Sequence, residues 1–91
     1  MTYSPLTYIL QMGKFINMDI RVNLGKRIKE IRLNKKLSQE ALAFKSQLNR
    51  TYINGIENGR RNVSIINIHK IANALDVSLT ELFKSDVFTF K

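Results

Sequence analysis

At 91 residues the chain has room for one domain with one modest core, too small to carry a separate catalytic domain. It contains no cysteine, which excludes a disulfide framework, a thiolate nucleophile and a cysteine-based zinc site. Fifteen Lys and Arg against seven Asp and Glu give a formal charge of +8, and the segment 26–61 concentrates it, with ten basic and three acidic residues for a net of +7. A positive field of that density on a small domain favours a polyanionic partner, either nucleic acid or an anionic membrane surface.

The first 17 residues are nearly uncharged and hold the only proline, Pro5. Their longest apolar stretch, Leu6 to Leu10, is interrupted and far short of the roughly 20 residues that cross a bilayer. The stretch also lacks a basic flank and a small-residue cleavage site, so it is not a secretory signal. This places the protein in the cytoplasm and leaves the membrane without an anchor. Met18 stands just before the patterned region, so residues 1–17 read as a leader, either an over-extended reading frame or an arm. Residues 18–91 form the functional domain.

Leu24, Ile28 and Ile31 recur at helical spacing, predicting a first helix over 23–36 with Lys26, Lys29 and Glu30 facing solvent. Ser38 caps a second helix, 39–45, whose inward residues are Leu42 and the small Ala43. Asn49 caps a third, 50–57, with Ile53 and Ile56 turned inward, and Asn58-Gly59 ends it. Ser64 opens a fourth helix with Ile65, Ile68, Ile71, Ala72 and Leu75 on its inner face. Ser78 and Glu81 form a capping box for a fifth that buries Leu82 and Phe83. No strand pattern competes, so the fold class is all-α, a five-helix domain.

Two short helices joined by three residues, with small or apolar side chains at the crossing, make 38–59 a helix-turn-helix whose second helix is free to enter a major groove. With Ile53 and Ile56 inward, that helix presents Arg50, Thr51, Tyr52, Asn54 and Gly55. Arg50 has the fork geometry to pair with guanine O6 and N7, and Thr51 offers a hydroxyl and a methyl to a thymine edge. Tyr52 has a hydroxyl for a base or phosphate, Asn54 an amide for a base, and Gly55 lets the helix approach closely. Gln39 at the start of the second helix meets a phosphate, and Lys36, Lys45, Asn49, Arg60 and Asn62 are further phosphate contacts. Lys36 also fits a solvated helix end. Arg61, in the loop after the third helix, fits either a base or a phosphate. His69, alone and without clustered carboxylates, reads as a partly buried packing residue; no metal site or cofactor is expected. Phe44 falls at an exposed position.

The pieces Ile31-Arg32, Leu37-Ser38-Gln39, Leu42-Ala43, Ile53, Ile56-Glu57-Asn58-Gly59 and the run 71–83 together resemble the phage-repressor and Cro type of helix-turn-helix regulator, the XRE family. The run 48–57 followed by Arg60-Arg61-Asn62 is most similar to the controller proteins of restriction-modification systems. The resemblance implies a lambda-repressor-like fold, a base contact by Arg61, and a salt bridge from Arg32 to Glu57 that fixes the angle of the reading helix. It further implies that Gln47 and Asp76 occupy left-handed positions where the family favours glycine.

One helix-turn-helix reads only a few base pairs, so specific control calls for a homodimer on double-stranded DNA, with reading helices spaced to successive major grooves of a near-palindromic operator. Leu79, Phe83, Val87, Phe88 and Phe90 supply the apolar area for that contact, shared with the monomer's own core. The expected function is therefore a sequence-specific transcriptional regulator. An activator would also touch RNA polymerase, through a surface the sequence does not mark. An antitoxin or other protein-binding module on the same fold is the alternative, and an enzyme is not expected because no nucleophile, base and orienting group fall together.

Overall fold

The computed structural model describes residues 19–89. Among the described residues five α-helices follow one another: α1 (Ile20–Asn34), α2 (Gln39–Ser46), α3 (Arg50–Glu57), α4 (Ile65–Ala74) and α5 (Leu79–Phe83). A single 3-10 turn, Asp86–Phe88, follows α5. Helix α1 packs chiefly on α3, α2 on α3 and α4, and the 3-10 turn folds back on α1. The leader and Phe90 lie outside the described residues.

Helix α1 begins three residues before the apolar pattern suggested. Asp19 supplies the reason: its Oδ1 accepts from the Arg21 backbone N–H at 3.0 Å, an N-cap that the apolar periodicity does not reveal. The other four caps fall at the expected residues. Ser38 accepts from Ala41 N, Asn49 from Thr51 N and Tyr52 N, Ser64 from Asn67 N, and Ser78 from Glu81 N. The box at α5 is half of what was expected, because the Glu81 carboxylate turns toward Arg27, 3.9 Å away.

Three connections share one device. Lys36, Gln47 and Asp76 each adopt the left-handed conformation, with φ of 58°, 59° and 58°. The residue after each, Leu37, Leu48 and Val77, returns its backbone N–H at 3.0 Å to the carbonyl of Arg32, Ala43 and Ala72, closing the preceding helix. Each of those three apolar residues also packs against the core, and each is followed at once by a capping residue: Ser38, Asn49, Ser78. One helix is stopped and the next started within three residues.

The core consists of Leu24, Ile28, Ile31, Leu42, Ala43, Ile53, Ile56, Ile71, Ala72, Leu75 and Leu82. Two expectations for α4 are corrected. Ile65 is 65% exposed and not inward, because the start of α4 projects beyond the core that Ile71, Ala72 and Leu75 fill; His69, one position past the core-packed Ile68, points away from that core and is exposed rather than partly buried. Phe83, expected to be buried, is 37% exposed; its ring packs obliquely on Phe88, with centroids 5.1 Å apart. Arg27 closes the far end of α5, donating from Nε to the Leu82 carbonyl at 2.9 Å and from Nη2 to the Glu81 carbonyl at 2.8 Å.

Candidate nucleic-acid interface

Helix α3 is amphipathic, with Ile53 and Ile56 fully buried and Arg50 and Thr51 exposed. Its angle to the rest of the domain is set at its C-terminal end. Arg32 of α1 meets Glu57 there in a two-pronged, buried contact, Nε to Oε2 at 2.6 Å and Nη2 to Oε1 at 3.0 Å, and its Nη1 also donates to the Leu37 carbonyl at 2.8 Å. A buried charge pair with this many partners specifies orientation more than it adds net stability.

From that pair a chain of hydrogen bonds runs outward to the reading face. Gln39 donates from Nε2 to Glu57 Oε1 at 3.0 Å, and its Oε1 accepts from Asn54 Nδ2 at 3.3 Å. Asn54 Oδ1 in turn accepts from Asn58 Nδ2 at 3.2 Å and from Arg60 Nη2 at 3.4 Å. Gln39 therefore spans α2 and α3 as a strut, with one amide proton left over. Asn54 is half-buried and similarly retains one free amide proton. Gln39, Arg50, Thr51 and Asn54 together line a shallow hollow of about 180 Å³.

Arg50 lies 3.4 Å from Glu40 of α2, with both side chains mostly exposed. A surface pair of this kind is worth little, so Arg50 exchanges it readily for a stronger partner. Tyr52 is half-buried: its hydroxyl accepts from Asn67 Nδ2 of α4 at 3.2 Å, and the Arg61 guanidinium lies 5.7 Å from its ring centroid.

Gly55, expected on the outer face, is buried. A Cβ there would stand 2.9 Å from Arg61 Cγ and 3.0 Å from Arg61 Nε, so the missing side chain makes room for Arg61 rather than for a ligand. The Arg60 backbone N–H also donates to the Gly55 carbonyl at 2.9 Å. Residues 60–61 are thereby folded along α3, and the outer face comprises helix and loop together. Asn49 spends its Oδ1 on capping α3. Lys36, Lys45 and Asn62 are exposed and join none of these hydrogen bonds among the described residues.

Glu40 and Asn67 belong to this surface and were not singled out by sequence. Asn67 left one trace, a polar residue set within Ile65-Ile66-Asn67-Ile68. Two of the ten basic residues of the segment 26–61, Arg27 and Arg32, turn out to be structural, while the other eight are exposed.

Among the residues expected to join two copies, Phe88 packs against the core and Val87 is half-buried beside it, because the 3-10 turn doubles back on α1. Leu79 and Phe83 remain exposed. The larger apolar surface is on α4, where Ile65 and Ile66 are 65% and 67% exposed and, with His69 and Leu79, line an open hollow of about 320 Å³. No described helix is long and apolar enough to cross a membrane.

Residues 28–82 match the helix-turn-helix family HTH_3. The chain is 47% identical over 70 residues to the control protein C.MunI of a Mycoplasma species, covering 76% of this chain and 93% of that one. It is 51% identical over 65 residues to the control protein C.BamHI of Bacillus amyloliquefaciens, covering 70% and 80%. Among solved structures it is similar to the restriction-modification controller protein C.AhdI of Aeromonas hydrophila, with a TM-score of 0.68, 54% identity and coverage of 69% of this chain and 96% of that one. It is also similar, at a TM-score of 0.68, 44% identity and coverage of 70% and 84%, to the controller protein C.Esp1396I, crystallised as a tetramer with its natural 35 base-pair operator. The chain belongs to the XRE-type helix-turn-helix family, of which these restriction-modification control proteins are members.

Proposed function

We propose that this protein is a transcriptional regulator that binds a near-palindromic operator as a homodimer and controls a restriction-modification operon. The observation that carries this reading is the outer face of α3. Arg50 and Thr51 are exposed there, Tyr52, Asn54 and Arg61 are held beside them by intramolecular contacts, and Arg60 and Asn62 flank them. Arg50, Thr51, Tyr52, Asn54 and Arg61 read base edges. Gln39, Lys36, Lys45, Asn49, Arg60 and Asn62 hold the phosphate backbone.

The partner across the two-fold axis is a second copy of the chain, seated on Ile65, Ile66, His69 and Leu79 with Phe83 at the margin. An exposed apolar patch of this kind on a small basic domain is a contact surface, and an isologous pair covers it with itself. The tetrameric operator complex of C.Esp1396I supports assembly of more than one copy on DNA. The protein works in the cytoplasm and touches RNA polymerase where its operator lies beside a promoter.

Selection of bound duplexes from a random pool, repeated at two salt concentrations and with Arg50→Ala, tests the reading. The expected result is a two-fold-symmetric site, affinity that falls with salt, and an Arg50→Ala profile relaxed at particular bases by about 1–3 kcal/mol. Unselective binding with the same salt dependence would reduce the basic surface to a general attraction for polyanions.

A further inference from the structure

Tyr52 is gripped from two directions that have different chemistry. Its ring carries the Arg61 guanidinium, 5.7 Å from the centroid, whose stem rests over Gly55. Its hydroxyl is reached from another helix, by Asn67 Nδ2 at 3.2 Å. A tyrosine hydroxyl has one proton and two lone pairs. Because Asn67 donates, it occupies a lone pair and leaves the proton of Tyr52 without a hydrogen-bond acceptor among the described residues, so the hydroxyl is available as a donor.

Resting on the operator-binding reading, we infer that Asn67 is a positioning residue for recognition, holding the Tyr52 hydroxyl as a hydrogen-bond donor toward acceptor atoms on the DNA. The major groove makes this polarity informative. Guanine O6 and N7, adenine N7 and thymine O4 accept, whereas cytosine N4 and adenine N6 donate. A hydroxyl fixed as a donor favours the first set; a freely rotating hydroxyl serves both. Asn67 is suited to the task because its backbone N–H is already satisfied by Ser64 Oγ at 3.1 Å, so its side chain is not needed to start α4.

The test compares wild type, Asn67→Ala, Tyr52→Phe and the double variant on the site selected by the wild-type protein and on duplexes altered one base pair at a time. Asn67→Ala is expected to keep the melting temperature and the salt slope, and to reduce discrimination at the base pair beneath Tyr52 by about fivefold, the worth of one hydrogen bond. In the Tyr52→Phe background the same change is expected to alter discrimination by no measurable factor, since the hydroxyl it acts through is gone. Asn67→Asp, well tolerated in a first helical turn, accepts the tyrosine proton and shifts the ratio further against acceptor bases. A wild-type profile retained in Asn67→Ala, or an Asn67→Ala effect that persists in Tyr52→Phe, overturns the inference while leaving operator binding intact. Failure of the wild-type protein to select any site overturns the operator reading itself, and this inference with it.

Discussion

Gly25 lies in the interior of α1, where glycine ordinarily costs about 1 kcal/mol relative to alanine. Here the sign reverses. A Cβ at this position would collide with the Ile56 carbonyl oxygen and come within 2.8 Å of the Glu57 carbonyl oxygen, both backbone atoms at the end of α3 that cannot swing aside. Gly25→Ala is expected to destabilise the fold by about 2 kcal/mol, within the range of overpacking, visible as a lower urea midpoint; an alanine variant more stable than wild type would show that α1 and α3 do not touch there. At the same crossing, Arg32→Ala leaves Glu57 buried with only Gln39 beside it, and a loss of about 3–5 kcal/mol is expected together with weaker operator binding. Normal melting with normal binding would refute it. The Arg32–Glu57 contact was foreseeable because both residues fall at positions the resemblance marks. Gly25 was not, since along α1 it is only a gap between apolar residues and its meaning lies in a neighbour 31 positions away.

Among the elements, the caps were the most legible feature, because a short polar side chain before an apolar run acts on amides two or three residues away. The start of α1 shows the limit of that rule. Asp19 both caps the helix and chelates Arg21, with Nη2 to Oδ2 at 2.7 Å, and the guanidinium hydrogen bond holds its carboxyl below the usual carboxylate range. A carboxylate with its folded value depressed contributes stability above its unfolded value and loses it as pH falls through the folded one. The stability of wild type is therefore expected to drop in acid more than that of Asp19→Asn, which keeps the cap oxygen without the charge, so the gap between the two narrows below the ordinary aspartate range. Equal acid limbs in denaturant titrations would contradict this. Left-handed Gln47 and Asp76 were anticipated from resemblance; Lys36 was not, although the same triplet of left-handed, apolar and capping residues recurs there. In α4 the apolar spacing marked the inner face at Ile68, Ile71, Ala72 and Leu75 but not at Ile65, because periodicity identifies a face without saying how far along it the core reaches, and the start of the helix extends past the core.

For the whole molecule, that uncovered turn is the surface proposed to meet a second copy. Ile66→Lys is expected to leave monomer melting nearly unchanged, within about 0.5 kcal/mol as for other exposed sites, while shifting sedimentation to the monomer and weakening operator binding. A variant still dimeric at the wild-type concentration would move the interface elsewhere. Of the C-terminal apolar residues expected to join two copies, Phe88 is instead returned to the core by a 3-10 turn that left no periodic signal. The loop clasped along α3 bears on kinetics and heat. Arg60 and Arg61 are already fastened to Asn54, Gly55 and Tyr52 before any DNA arrives, so contact immobilises little additional chain. On the proposed function, docking is expected to approach a rigid-body event, in which charge steering governs arrival and the lifetime of the complex carries the difference between one operator and another. In a calorimeter, the heat-capacity change on binding follows from the area covered, with no added contribution from a folding loop.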